Sequence, residues 1–326
     1  MKKIVGLGNA ITDVLSFIVD DRLLCDLNVS KGSMQLIDKQ MLGDLTDSLV
    51  DCERYMITGG SASNTISGMA KLGIRCGFIG KIGDDEVGVF FKNDSQENGV
   101  RTHLMQSDLL SGQCVVLVSP DGERTMCTYL GAACELTADN LSVHDFGGYD
   151  YFHIEGYLVQ NHDLIRCAVQ LAKQEGLKVS LDMASFNVVE ENREFLLEII
   201  RDFVDIVFAN EEEAQALTGK SVRESLDEIA EICEIAVVKT GKNGSLIKTR
   251  GEVTAIEAIE ANCVDTTGAG DLYASGFLYG LCHGLSVEKC GQIGSILAGN
   301  VVEVVGAKMD DERWEGIIDR VNYIMA

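Results

Sequence analysis

Residues 265–271 read DTTGAGD and run straight into LYASGFLYGLCHGL, an apolar stretch with helical spacing. Two glycines are placed where a helix is about to begin, and a solvent loop has no need of them there. If the helix starts near Gly268, the N–H groups of Gly268, Ala269 and Gly270 lack intrahelical partners and lie at the positive end of the helix dipole. Small residues let an anion approach that backbone closely. Asp271 then stands beside the anion, placed to take a proton from a hydroxyl that attacks it. An ordinary capped helix would need only Asp265 or Thr266 and a glycine, so the seven residues together favour the anion site.

Four other stretches belong with it. GGSASNT (59–65) precedes a helical pattern: Gly59 and Gly60 open the backbone to a ligand, and Asn64 offers a donor and acceptors for sugar hydroxyls. NEEE (210–213) follows the strand-like DIVFAN, and ligands of open α/β sheets gather at the carboxyl ends of strands. Asn210 and Glu213 could orient water on Mg²⁺ or touch phosphate there, or simply open a helix. In VKTGKNG (238–244) a strand leaves through a glycine turn where Thr240, Gly241 and Gly244 could meet a nucleotide; the spacing misses the GxxxxGK[ST] phosphate loop. GLGNAI (6–11) lacks the third glycine of a dinucleotide fingerprint, which argues against a dehydrogenase, and Asp13 follows as a polar group aimed from a strand end.

The elements that must position these residues are readable in outline. Runs such as KKIVGLG, CGFIGKIG, YFHIEGY, LKVSLDM, DIVFAN and IAVVKTG alternate with helical patterns, including SNTISGMAKLG, HDLIRCAVQLAKQEG, REFLLEIIRDF, EEEAQALTG and SLDEIAEICE. That alternation predicts a mostly parallel sheet with helices on both faces. QCVVLVSPDGERTMCTYLG reads as a β-hairpin turning at Pro120-Asp121-Gly122, the sole proline of the chain. With LSFIVDDRLLCDLNVSKGSMQLID it suggests a small second sheet, built from about 14–40 and 112–131, that covers the site as a lid.

Bulk properties narrow the partners. The 326 residues suffice for one large α/β domain, and the formal charge of −24 repels nucleic acid and anionic membranes. Eleven cysteines form no CxxC pair, and the odd count points to free thiols in a reducing cytoplasm. The five histidines show no zinc spacing. No run reaches the roughly 18 uninterrupted apolar residues that a membrane-spanning helix needs.

Together these residues resemble the ribokinase or PfkB family of carbohydrate and nucleoside kinases over essentially the whole chain. GGSASN is similar to the family's first signature, and DTTGAGD with its small-residue helix to the second, more specific one. The resemblance implies a ribokinase-like three-layer α/β sandwich of 1–326 with a central sheet of about eight or nine strands and a small β lid. It implies a kinase that moves the γ-phosphoryl group of ATP, with Mg²⁺, to a primary hydroxyl of a sugar or nucleoside. Asp271 would be the general base, and Gly268, Ala269 and Gly270 the anion hole. Asn210 and Glu213 would belong to the Mg²⁺ and phosphate region. Asp13, Gly59, Gly60, Asn64 and Glu155 would hold the acceptor. Asp265 and Thr267 occupy the segment that lines a monovalent-cation site, K⁺, in some members. Ser61 stands where ribokinase itself carries Lys, as in adenosine kinases, and AGNVVEVVGA, GNAITDVL and TYLGAACEL lean the same way. Arg124 is the one basic residue of the hairpin that could meet a second phosphate. Adenosine is the first alternative acceptor, a non-catalytic sugar or nucleotide sensor the reading from another class, and edge pairing of lid sheets would give a homodimer.

Overall fold

The computed structural model describes residues 2–326. Fourteen strands fall into two sheets. The larger contains β1 (Lys3–Leu7), β5 (Arg75–Gly83), β6 (Val100–Ser107), β9 (Tyr151–Glu155), β10 (Lys178–Asp182), β11 (Ile206–Asn210), β12 (Ile235–Lys239), β13 (Ser245–Thr249) and β14 (Glu252–Ile256). The smaller contains β2 (Ile11–Phe17), β3 (Met34–Leu36), β4 (Arg54–Thr58), β7 (Gly112–Val118) and β8 (Arg124–Tyr129).

The larger sheet runs β14-β13-β12-β11-β10-β9-β1-β5-β6 and is parallel from β12 to β6; only β13 and β14 are antiparallel. Its central strands are buried on both faces, which is why they read as continuous apolar runs. In β11, Ile206 and Phe208 enter one core while Val207 and Ala209 enter the other, the two-residue alternation of a strand. The first core is closed by the Ser61–Lys71, Ala269–Cys282, Val287–Val301 and Asp311–Met325 helices. The His162–Gln174, Arg193–Phe203, Glu211–Thr218 and Val222–Ile232 helices close the second. This is the three-layer α/β sandwich with a second small sheet that the sequence predicts, and all six of its expected core strands are present.

The small sheet, ordered β3-β8-β7-β2-β4, is reached directly from β1 through Gly8–Ala10. It contains the expected β7–β8 hairpin, paired antiparallel from Gln113–Tyr129 to Val118–Arg124. It also draws in β4, which lies outside the two segments expected to build it. Val115, Leu117 and Cys127 pack under the Lys39–Ser48 helix through Leu42 and Leu45, and the intervening Val116 and Met126 turn to the other side. That other side faces the cleft between the sheets. No helix among the described residues is long and apolar enough to cross a membrane.

Candidate active site

The chain moves outward from β1 in both directions, so β1 and β9 adjoin at a point where the strand order reverses. Ligands of open α/β sheets bind outside the carboxyl ends of strands at such a point. A cleft of about 800 Å³ opens there, between the strand ends and the small sheet. The size suits a nucleotide with a small acceptor.

Gly268 begins the Ala269–Cys282 helix in the left-handed region, with φ +76°. A side chain at that position would be strained and would also meet Ala307. The Ala269 N–H closes the turn onto the Thr266 carbonyl at 3.1 Å, and Leu272 donates to the Gly268 carbonyl. The expectation of three open donors is therefore corrected at Ala269. The N–H groups of Gly268, Gly270 and Asp271 find no acceptor among the described residues, and these three residues line the cleft at the start of the helix.

Asp271 lies one turn in, on the cleft. Its Oδ1 accepts from Ser61 Oγ at 2.7 Å, and its Oδ2 accepts from Asn64 Nδ2 at 2.9 Å. The two sequence motifs thus meet through one carboxylate, although 207 residues separate Asn64 from Asp271. Burial raises the Asp271 pKa to about 6, against the Asn64 and Ser61 donors that favour the charged form. A carboxylate with that value is ionised at neutral pH yet a stronger base than an exposed aspartate.

The Ser61–Lys71 helix can present Ser61 and Asn64 because Gly60 precedes it with φ +87°. A Cβ at Gly60 would run into the Asn9 carbonyl oxygen. Gly59 packs against the Asp13 carboxylate rather than lining the cleft. Asp13, on β2, does line it; burial raises its pKa to about 6, opposed by the nearby charges of Arg124 and Lys308.

Glu155 sits behind this wall, 1% exposed, and does not face the cleft as an acceptor-contacting residue would. Its Oε1 accepts from Asn9 N at 3.0 Å and Asn9 Nδ2 at 2.5 Å, and its Oε2 from Ala62 N at 3.0 Å. It therefore ties the β1–β2 turn to the start of the Ser61 helix. Burial pushes its pKa up to about 7 despite three donors that favour the carboxylate.

Asn210 and Glu213 form a reciprocal cap. Asn210 Oδ1 accepts from the Glu213 N–H at 2.8 Å, while the Glu213 carboxylate accepts from the Asn210 N–H at 2.7 Å and from its Nδ2 at 2.8 Å. Both Glu213 oxygens carry a bond, and no group of three or more His, Cys, Asp or Glu side chains among the described residues forms a metal cage. The residues supply no preformed cage, so an Mg²⁺ ion there would be held chiefly by phosphate oxygens and water, and Glu213 would reach it only through water. Gly241 and Gly244 line the cleft beside Lys242, whereas Thr240 closes the turn by donating to the Gly244 carbonyl at 2.8 Å.

The Asp265 carboxylate is committed to protein donors. Its Oδ1 accepts from the Thr267 N–H and Oγ1, and its Oδ2 from Arg124 Nη1 at 2.6 Å and the Gly306 N–H at 2.8 Å. Those donors and Arg124 hold its pKa below the usual carboxylate range against burial. The ion pair fastens the small sheet's hairpin to the loop before the Asp271 helix; Arg124 lines the cleft, and its buried Nε has no partner among the described residues.

Two further lining residues have no role assigned from the sequence: Asp182 lies in no motif, and Lys239 lies in VKTGKNG beside the Thr240, Gly241 and Gly244 named there. Asp182 ends β10 and Lys239 ends β12, and Lys239 Nζ donates to Asp182 Oδ2 at 2.7 Å. The only signal that could have found them is their place at the ends of the LKVSLDM and IAVVKTG strand runs. At the other end of the cleft, Ile259, Cys263, Ala298 and Val302 form a largely apolar wall for which the sequence named no residue.

Comparison with known proteins identifies the family and the fold. The pfkB family carbohydrate kinase pattern matches residues 34–313. The fold superposes with TM-score 0.85 on a probable sugar kinase from Rhizobium etli CFN 42, 34% identical and covering 98% of both chains. It superposes equally, at TM-score 0.85, on adenosine kinase from Sinorhizobium meliloti, 33% identical over 98% of this chain and 99% of that one. A 5-dehydro-2-deoxygluconokinase from Geobacillus thermodenitrificans is 27% identical over 310 residues, 88% of this chain and 87% of the relative. With signatures, fold and a match spanning most of its length in agreement, the chain belongs to the pfkB family of carbohydrate kinases, phosphotransferases with a hydroxyl acceptor.

Proposed function

We propose that this kinase transfers the γ-phosphoryl group of ATP to a primary hydroxyl of a sugar or nucleoside, with Asp271 as the general base. The observation that carries the reading is the Asp271 carboxylate, gripped by Ser61 and Asn64 from the acceptor side and rooted in the helix start whose N–H groups face the cleft. The acceptor lies against Asp13, Ser61, Asn64, Val116 and Met126, where carboxylate and amide groups meet hydroxyls and the two apolar side chains meet a ring face. The adenine lies at the apolar end, against Ile259, Ala298 and Val302.

Asp271 takes the hydroxyl proton as the acceptor oxygen attacks, and the donors of Gly268 and Gly270 receive the charge on the phosphoryl oxygens. Mg²⁺, when bound, neutralises phosphate charge in a cleft whose lining is rich in carboxylates. Ser61 and Asn64 hold the base in line, and the small sheet excludes water.

Adenosine is the acceptor to try first: the Sinorhizobium meliloti adenosine kinase is 33% identical over nearly the full length. The 5-dehydro-2-deoxygluconokinases support a sugar acid as the second. The test measures ADP release with Mg-ATP against adenosine, inosine, ribose, fructose, 2-keto-3-deoxygluconate and 5-dehydro-2-deoxygluconate. With the acceptor that turns over, Asp271→Asn should lose on the order of 10²–10⁴-fold in kcat while ATP binding survives. A variant retaining most of its turnover removes Asp271 from the role of base.

A further inference from the structure

Lys239 is placed where a structural lysine would not choose to be. Its ammonium lies beside the first turn of the Ala269–Cys282 helix: a methyl carbon added at Gly270 would sit 3.0 Å from Nζ. A cation at the positive end of a helix dipole is repelled by it. It is also mostly removed from water, with 15% of its side chain accessible. Three donor hydrogens are available on the ammonium, yet Asp182 Oδ2 is its single acceptor among the described residues. Burial works against the charge, but the carboxylates of Asp182, Glu213 and Asp271 outweigh it and hold the lysine above its ordinary pKa. The group is therefore a fixed, charged, under-coordinated donor next to three open backbone N–H groups.

We infer that Lys239 completes the anion hole as a catalytic residue, its ammonium donating to an oxygen of the transferred phosphoryl group, with Asp182 as the positioning residue that aims it. An anion at the helix start relieves both the dipole repulsion and the unused donors at once, which a lysine merely neutralising Asp182 would not require. Asp182 and Lys239 reach each other because β10 and β12 flank β11 and all three end at the cleft; Lys239 pairs with Asn210 across the strands, so its side chain starts level with the phosphate end. In the transfer, the acceptor oxygen bonds to phosphorus, the bond from phosphorus to the bridging oxygen of ADP breaks, and the hydroxyl proton goes to Asp271. No bond to Lys239 forms or breaks and it keeps its protons; it acts by charge on the migrating group.

The inference rests on the kinase reading, so the experiment separates the two. Calorimetric binding of Mg-ATP and Mg-ADP is compared for the full-length wild type, Lys239→Met and Asp182→Asn, with thermal melting as the control on folding. Lys239→Met should weaken Mg-ATP at least about tenfold while leaving Mg-ADP within about threefold, because a charged hydrogen bond to the third phosphate is lost. With a turned-over acceptor, its kcat should fall about 10²-fold. Lys239→Ala should regain part of that rate in millimolar ethylammonium, a saturable rescue that a packing role does not give. Asp182→Asn should show a smaller loss in kcat with the acceptor KM unchanged. Equal weakening of ATP and ADP, or wild-type kcat in Lys239→Met, overturns the inference. A wild type that binds both nucleotides but turns over no acceptor of the panel overturns the proposed acceptors alone, and the ATP-to-ADP comparison still decides Lys239. A wild type that binds neither overturns both.

Discussion

As the proposed base, Asp271 would act through a carboxylate whose pKa burial raises to about 6. A base must be unprotonated, so kcat should climb with pH through about 6 and level off above about 7. Asn64 donates to the ionised form and holds that value down. Asn64→Ala should therefore move the rising limb to higher pH, which a pH profile of kcat with saturating substrates would show; an unmoved limb would mean that another group sets it. The residues nearest the chemistry were readable wherever a contiguous string carried them. Gly268–Asp271 and Gly59–Asn64 announce themselves by glycine, small and polar types packed within seven positions. Asp182 and Lys239 do not, because each is an ordinary residue at the end of an apolar run and their meeting depends on strand order. Glu155 is expected, by the family resemblance, to hold the acceptor, but it ends β9 and its direction was not readable: side chains leaving a strand end can point to the cleft or behind it.

The start of the Ser61–Lys71 helix is the element on which both halves of the site depend. Glu155 fixes it by accepting from the Ala62 N–H while gripping Asn9 on the neighbouring turn. Glu155→Gln sets an amide N–H against donors that were all aimed at a carboxylate. Leaving one of them unsatisfied in the interior should cost about 1–3 kcal/mol of stability, measured by urea unfolding. A variant as stable as wild type would show that the brace is dispensable. Among the elements, those with clean signals were found: the βα alternation, the glycine-stopped helices and the Pro120-Asp121-Gly122 hairpin. The missed ones have mixed patterns. VRTHLMQS in β6 is largely half-exposed at a sheet edge, and VEKCGQIGSILAGNV carries three glycines in a helix that survives by packing tightly on its neighbour. Tertiary burial decided those, and local propensity did not.

Across the molecule, two sheets enclose a cleft whose lining is predominantly acidic, in a chain whose formal charge is already −24. Polyphosphate enters such a cleft only where local donors outweigh the surrounding field, and the helix start, Lys239, Lys242 and Arg124 are gathered on that path. The alternation of β and α runs implies a parallel sheet, while the reversal of strand order between β1 and β9 leaves no mark in the sequence. Asp265 stands in the DTTGAGD motif, but its ion pair with Arg124, which joins one sheet's hairpin to the other layer's loop, was beyond reach because nothing in the sequence links two positions 141 apart.

The cysteines behave very differently according to depth. Cys114, Cys282 and Cys290 are buried and their thiols are pushed up to about 12, so at neutral pH they are protonated and inert. Cys25, Cys134 and Cys263 are exposed, and of these Cys263 alone lines the cleft, at its apolar end. Brief alkylation of the native protein followed by peptide mass mapping should mark these three first. Saturating Mg-ATP should shield Cys263 and leave Cys25 and Cys134 untouched; equal marking of all three would put the adenine elsewhere. If the nucleotide sits as proposed, the chain carries an internal footprint of that site, able to report occupancy and residence time before any acceptor has been identified.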